Sequence, residues 1–112
     1  MITIKRGLPY VSTITLTDQA GDPFDLTGKT VFFTVKRSGD LQKEDTFAVI
    51  KKDIITHDSP LLGITTLSLL EDETNISAGT YKADFKIYGG GVNDNTNSVP
   101  VNVVDVITKR VE

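Results

Sequence analysis

The stretch that decides the fold is Gly79-Thr80-Tyr81-Lys82-Ala83-Asp84-Phe85-Lys86-Ile87-Tyr88. Tyr81, Ala83, Phe85 and Ile87 fall on one side of it, and Lys82, Asp84, Lys86 and Tyr88 on the other. Successive side chains of a strand point to opposite faces, so this period of two predicts a half-buried β-strand. The same alternation recurs on either side. Val31, Phe33 and Val35 alternate with Phe32, Thr34 and Lys36, and Tyr10, Ser12, Ile14 and Leu16 oppose Val11, Thr13, Thr15 and Thr17. Leu67 and Leu69 oppose Thr66 and Ser68, while Ile2 and Ile4 make a short first strand before Gly7 and Pro9 interrupt it. Thr, Val and Ile make up 36 of the 112 residues, and these types favour pleated, half-buried strands.

The last long segment begins with Val99, Val101 and Val103 on one face, but Val104 and Val106 then carry the apolar pattern on the other. A β-bulge near Asp105 would restore the inward face; alternatively, both faces are covered, one of them by a partner chain. Pro100 cannot donate to a ladder, which puts its strand near a sheet edge or entrance. Asp18-Gln19-Ala20-Gly21-Asp22-Pro23 reads as a turn. Residues 37–45 and 57–60 read as polar loops, and residues 89–97, opening with three glycines, as the most flexible stretch. Only residues 70–77 could be helical, for one or two turns, with Glu71, Asp72 and Glu73 where a helix dipole favours acids.

Seven or eight short strands with frequent turns predict an all-β antiparallel sandwich or barrel. The chain is about one domain's worth, with no internal repeat or linker, so residues 1–112 read as a single domain. Gly79 and Tyr81 at a strand entrance sharpen the picture. Immunoglobulin-like sandwiches place such a tyrosine at a corner, its ring in the core and its hydroxyl bonded to upstream backbone. The expected fold is therefore an Ig-like β-sandwich of about 7–8 strands, with an ordinary alternating-strand tyrosine as the other reading of Tyr81. Ala83 stands where an antibody domain carries cysteine, and there is no Trp.

Composition excludes several functions. No apolar run approaches the ~20 residues of a membrane-spanning helix, and residues 1–7 lack the apolar core of a secretory signal. The net charge is −3, and the basic residues form separate pairs such as Lys5-Arg6 and Lys51-Lys52. A nucleic-acid groove needs them clustered, so neither nucleic acid nor membrane is an expected partner. With no Cys there is no thiolate ligand or thiol nucleophile. The single histidine, His57, lies in a predicted loop and reads as exposed and structural. Glu71-Asp72-Glu73 reads as a solvated cap, and Asn93-Asp94-Asn95 lacks the spacing of a calcium loop. The glycine run at 89–91 lacks the Lys-Ser/Thr and helix of a phosphate cradle. No catalytic residue, metal ligand or cofactor is expected.

The order of pieces is informative where each piece alone is not. Ile4-Lys5-Arg6-Gly7 opens the chain, and Leu16-Thr17-Asp18-Gln19-Ala20-Gly21-Asp22-Pro23-Phe24-Asp25-Leu26-Thr27-Gly28 leads into Val31-Phe32-Phe33-Thr34-Val35-Lys36. Gly63-Ile64-Thr65-Thr66-Leu67 and Ala78-Gly79-Thr80-Tyr81-Lys82 follow. This series resembles the N-terminal Ig-like domain of bacteriophage baseplate upper proteins and related small tail modules. It departs from that pattern in Leu8-Pro9, where an acidic residue commonly follows Arg-Gly, and in ending at Glu112 without a long extension toward receptor-binding proteins.

The resemblance implies a non-enzymatic structural protein of a phage tail or baseplate, made in the host cytoplasm and located in the virion. It implies an adaptor or decoration module, contacting other tail or baseplate subunits as an oligomer within an assembly. Two routes to such contacts follow from a β-sandwich. Edge strands offer unpaired backbone groups, here at Ile2 and Ile4 in residues 2–5 and again in residues 103–111. Outward apolar side chains form patches, here Phe32, Tyr88, Val104 and Val106. The alternative function is a carbohydrate-binding β-sandwich mediating surface attachment, for which the few tyrosines make a poor stacking platform.

Overall fold

The computed structural model describes residues 2–107 apart from 19, 42, 43 and 97. Eight strands form within them: β1 (Ile2–Lys5), β2 (Tyr10–Thr15), β3 (Thr30–Arg37), β4 (Ile50–Ile54), β5 (Ile64–Leu69), β6 (Gly79–Gly89), β7 (Val92–Asn95) and β8 (Val99–Val104). The described residues contain no α-helix, only 3-10 turns at Ser38–Asp40, Asp45–Phe47 and Pro60–Leu62. The large sheet runs β1-β8-β6-β3-β4, with β7 also on β6, and the small sheet is the pair β2-β5. The chain is an all-β sandwich.

β6, the strand that decided the reading, is the spine of the large sheet. It pairs antiparallel with β3 from Thr30↔Tyr88 to Arg37↔Tyr81. Its opposite side is shared, with Lys86 to Gly89 pairing β7 and Gly79 to Ala83 pairing β8. Thr96 fills the junction, its backbone N–H donating to Phe85 O at 2.9 Å and its hydroxyl accepting from the Phe85 N–H at 3.1 Å. Lys86↔Asn95 and Ala83↔Val99 differ in register by one residue. β1 closes the sheet by pairing parallel with β8, Ile4 beside Val103.

Several expectations are corrected. Residues 89–97 do not form one open loop: Gly90 and Gly91, at φ 56° and 84°, make a two-residue turn and β7 returns along β6. Positive φ at both central residues is what a type I′ hairpin requires, and glycine meets it without strain. No bulge forms at Asp105, because β8 ends at Val104 and the change of apolar face needs no correction outside the sheet. β8 is paired on both sides and is not an edge; residues 108–111 of that expected edge lie outside the described ones. Pro100 sits at the entrance of β8, one residue before β1 begins to pair at Ile2↔Val101. Residues 70–77 make successive hydrogen-bonded turns and no helix, with Glu73 and Thr74 N–H both donating to Leu70 O and Asn75 N–H to Asp72 O.

The core lies between the sheets. Val31, Phe33 and Val35 of β3, Tyr81, Ala83, Phe85 and Ile87 of β6, and Val101 and Val103 of β8 face Leu67 and Leu69 of β5. Phe33 and Phe85 touch, with ring centroids 5.0 Å apart. Full burial of an aliphatic or aromatic side chain contributes about 1.5–3 kcal/mol, which offsets the ordering of a chain with so many loops. The Tyr81 ring is buried and its hydroxyl donates to the carbonyl of Ser77, four residues upstream.

Candidate functional site

The outward faces of β3 and β6 build a concave surface. Because strand side chains alternate, the same residues that bury Phe33 and Phe85 turn Phe32, Thr34, Asp84, Lys86 and Tyr88 outward. They line a groove of about 630 Å³ that also takes in Leu41 from the loop after β3. Phe32 is half-buried and Tyr88 is 52% exposed, their ring centroids 6.5 Å apart at 57°. Lys86 Nζ lies 6.0 Å from the Tyr88 ring centroid.

Part of the polar lining of this groove is paired, and Lys82 and Lys86 line it as well. Lys36 Nζ is 3.1 Å from Asp45 Oδ1, and Asn95 Nδ2 donates to Asp84 Oδ2 at 3.0 Å. The surface thus offers an aromatic corner and an apolar Leu41 set among polar and charged groups. That combination suits a macromolecular contact, where aromatic anchors carry most of the energy and the polar rim fixes orientation. The chain's single histidine stands elsewhere, with its ring nitrogens engaged as described below.

The structure distributes the other sequence candidates. Ile2 and Ile4 lie on β1, a true edge of the large sheet, but both side chains turn inward, Ile4 being fully buried. Only the β1 backbone is therefore on offer there. Val104 is half-buried on the opposite face of β8 from Val103, and its carbonyl accepts from the Arg6 N–H at 2.9 Å. Val106, also half-buried, lies beyond the strand. Phe32 and Tyr88 are thus brought together, whereas Val104 lies at the end of β8 and Val106 after it. Gly79 opens β6 and Tyr81 is the core-facing corner.

Two residues read as solvated are in fact structural clips. His57 is half-buried, not exposed: its Nε2 donates to Lys29 O at 2.7 Å, and its Nδ1 is 2.9 Å from the buried Thr65 hydroxyl. Because Lys29 O can only accept, Nε2 carries a proton. The ring therefore ties the 55–59 segment to β5 and to the turn before β3. Glu73 is not a free cap either. Its Oε1 accepts from the Leu70 N–H and from Lys52 Nζ, each at 2.9 Å, and its side chain is 24% exposed. Burial pushes its pKa up, but those two partners outweigh that and hold the carboxyl below its usual range. Asp25 is also held low, by the Thr27 N–H first and the Thr27 hydroxyl next.

Leu41 and the exposed Val11, Leu61 and Leu62 were missed by sequence reasoning. Leu41 sits in a polar stretch where a lone leucine carries no periodicity, and only its isolation among charges could have marked it.

Comparison with known proteins bears on what this surface serves. The model of the BppU N-terminal domain family matches residues 11–110. Among solved structures, a candidate glycoside hydrolase from Bacteroides vulgatus ATCC 8482 is similar at 14% identity and a TM-score of 0.47, over 95% of this chain and 17% of that one. The chain spans about a sixth of that protein's length. No curated protein matches.

Proposed function

The chain belongs to the BppU N-terminal domain family, a phage baseplate upper protein domain, and from that premise we propose how it serves a baseplate. Membership makes it a structural protein of the phage baseplate, located in the virion and interacting with other phage structural subunits. Our own reading is narrower. The chain is a non-catalytic adaptor or decoration module, held through protein–protein contacts on the outer face of β3 and β6. The observation that carries this is the Phe32–Tyr88 pair beside a groove of about 630 Å³ that Leu41 also lines. Such a surface presents exposed aromatic area to a partner. We also read the sandwich as Ig-like, on the support of the parallel β1–β8 closure and the Tyr81 corner.

The test is quantitative mass spectrometry of density-purified particles from cells expressing the wild-type chain together with Tyr88→Ala. The wild-type chain is expected at a fixed ratio to baseplate subunits, with Tyr88→Ala at least tenfold under-represented. Equal incorporation of the two overturns the assignment of this face. The carbohydrate alternative draws on the same half-exposed Tyr88, and a glycan array separates the two. Binding to the array that Tyr88→Ala abolishes replaces the assembly reading.

A further inference from the structure

We propose that the free edge of β2 receives an extended strand from a neighbouring baseplate subunit, which adds to the small sheet by main-chain hydrogen bonds. The proposal rests on the reading that the chain assembles through protein–protein contacts, and names a second surface for it.

Among the described residues β2 has one strand neighbour, β5, in the register Tyr10↔Leu69 to Thr15↔Ile64. Leu16 N–H continues that register by donating to Gly63 O at 2.8 Å. In an antiparallel ladder alternate residues bond to the same neighbour, so Tyr10, Ser12 and Ile14 bond to β5. Val11, Thr13 and Thr15 therefore turn their N–H and C=O groups to the free side. The far side of β5 obeys the same alternation, with Ile64 exchanging both of its bonds with Ser59.

The core side chains show the same open margin. On β5, Thr65, Leu67 and Leu69 are at most 1% exposed, whereas on β2 Tyr10, Ser12 and Ile14 are only half-buried. The inner face of the sandwich is thus closed under β5 and incompletely closed beside β2. An added strand would supply both the missing backbone partners and the missing cover for Tyr10 and Ile14.

The edge also lacks the usual protection. Natural edge strands are blunted by lysine, proline or inward-pointing charge. The edges of the large sheet have this, with Lys5 on β1 and Lys51, Lys52 and Asp53 on β4. β2, Tyr-Val-Ser-Thr-Ile-Thr, has neither charge nor proline. Its open length is bounded. The four-residue link 6–9 arrives from β1 at one end, and the strand stops at Thr15 at the other. The slot accepts a segment about six residues long, the length of β2.

A second copy of this chain fits less well than a partner's extended segment. The inward side chains of a second β2 already pack on their own core, so they cannot turn into the gap beside Ile14. The occupant is accordingly an extended segment with uncharged, apolar residues at alternate positions.

Thr13→Pro deletes the central outward N–H while leaving the bonds to β5, and proline is tolerated at an edge. Thr13→Val keeps the N–H. Each is co-expressed with the wild-type chain and counted in purified particles, folding being checked by circular dichroism. Thr13→Pro is expected to fall at least tenfold while Thr13→Val matches wild type. Equal incorporation of Thr13→Pro, or an equal fall for both variants, overturns the proposal. A purified-chain dimer in light scattering that Thr13→Pro abolishes overturns the occupant in favour of a second copy. Should Thr13→Pro not fold, amide exchange in residues 10–15 of the wild-type chain decides. It is expected to slow at least a hundredfold in particles, and unchanged exchange refutes the proposal. A wild-type chain missing from particles would instead sink the assembly reading itself, which distinguishes the two failures.

Discussion

Gly63 and Gly28 share one backbone angle and differ in everything around it, which makes a controlled experiment. Both sit at φ +70°. A Cβ on Gly28 would meet nothing within 4 Å, whereas on Gly63 it would lie 2.3 Å from Leu16 O and 3.1 Å from both the N and the O of Phe24. For either residue, alanine in the left-handed region costs about 1–2 kcal/mol. Gly63→Ala must in addition push β5 away from the end of β2, because the obstructing atoms are backbone and cannot rotate aside. Displacements of that kind in packed regions cost about 1–3 kcal/mol more. The expectation is a loss of about 1–2 kcal/mol for Gly28→Ala and about 2–5 kcal/mol for Gly63→Ala. Against the 5–15 kcal/mol typical of whole domains, only the second threatens the fold. Urea denaturation followed by far-UV circular dichroism, extrapolated linearly to water, measures both. Equal losses for the two variants would refute the reasoning, since they would mean that the strand ends yield without cost.

Two further outcomes follow from the buried polar clips. His57→Ala leaves the buried Thr65 hydroxyl and the Lys29 carbonyl without their ring partner, and should cost about 2–3 kcal/mol in the same urea assay; no measurable loss would show the ring to be idle. Glu73 has a lowered folded-state pKa, so its contribution is complete above the ordinary carboxylate value of 4.5 and fades as pH falls through the lowered one. The stability gap between wild type and Glu73→Gln should therefore be largest near neutral pH and shrink in acid, and a gap that widens in acid contradicts the Lys52–Glu73 assignment.

Strands with strict alternation were legible in the sequence, because a two-residue period survives in the residue types themselves. β3 and β6 are the clearest cases, and their inward and outward sets are those expected. β4 was not legible. Its inward position between Ile50 and Ile54 is Lys52, whose ammonium leaves the core to reach Glu73 in the turn after β5. A lysine at a core-facing position erases the apolar signal, and its partner is 21 residues away. β7 was hidden for another reason: three of the four residues of Val-Asn-Asp-Asn are poor strand formers, and the Gly90-Gly91 turn is what returns the segment to β6. At the candidate site, Phe32 and Tyr88 could be assigned to the outer face by parity. Their meeting depends on the β3–β6 register, which no local pattern states. His57 was misplaced because both of its partners come from other parts of the chain, 8 and 28 residues away.

The two proposed contacts lie on different layers, and that makes a sharp demand of them. Tyr88 projects from the outer face of the large sheet, while the Thr13 backbone lies on the free edge of the small one. Packed sheets stand about 10 Å apart, so the outer surface of one and the edge of the other share no partner atoms. Effects at sites beyond about 7–10 Å without shared partners add as free energies. If Tyr88→Ala and Thr13→Pro each lower competitive incorporation about tenfold, about 1.4 kcal/mol apiece, the double variant should fall about a hundredfold. An adaptor must hold one neighbour on one surface while a second occupies another, and multiplicative loss is what two independent contacts produce. A double variant no worse than either single one would show that both residues serve a single contact. The module would then be an appendage fixed at one point, and the linking role would have to be abandoned.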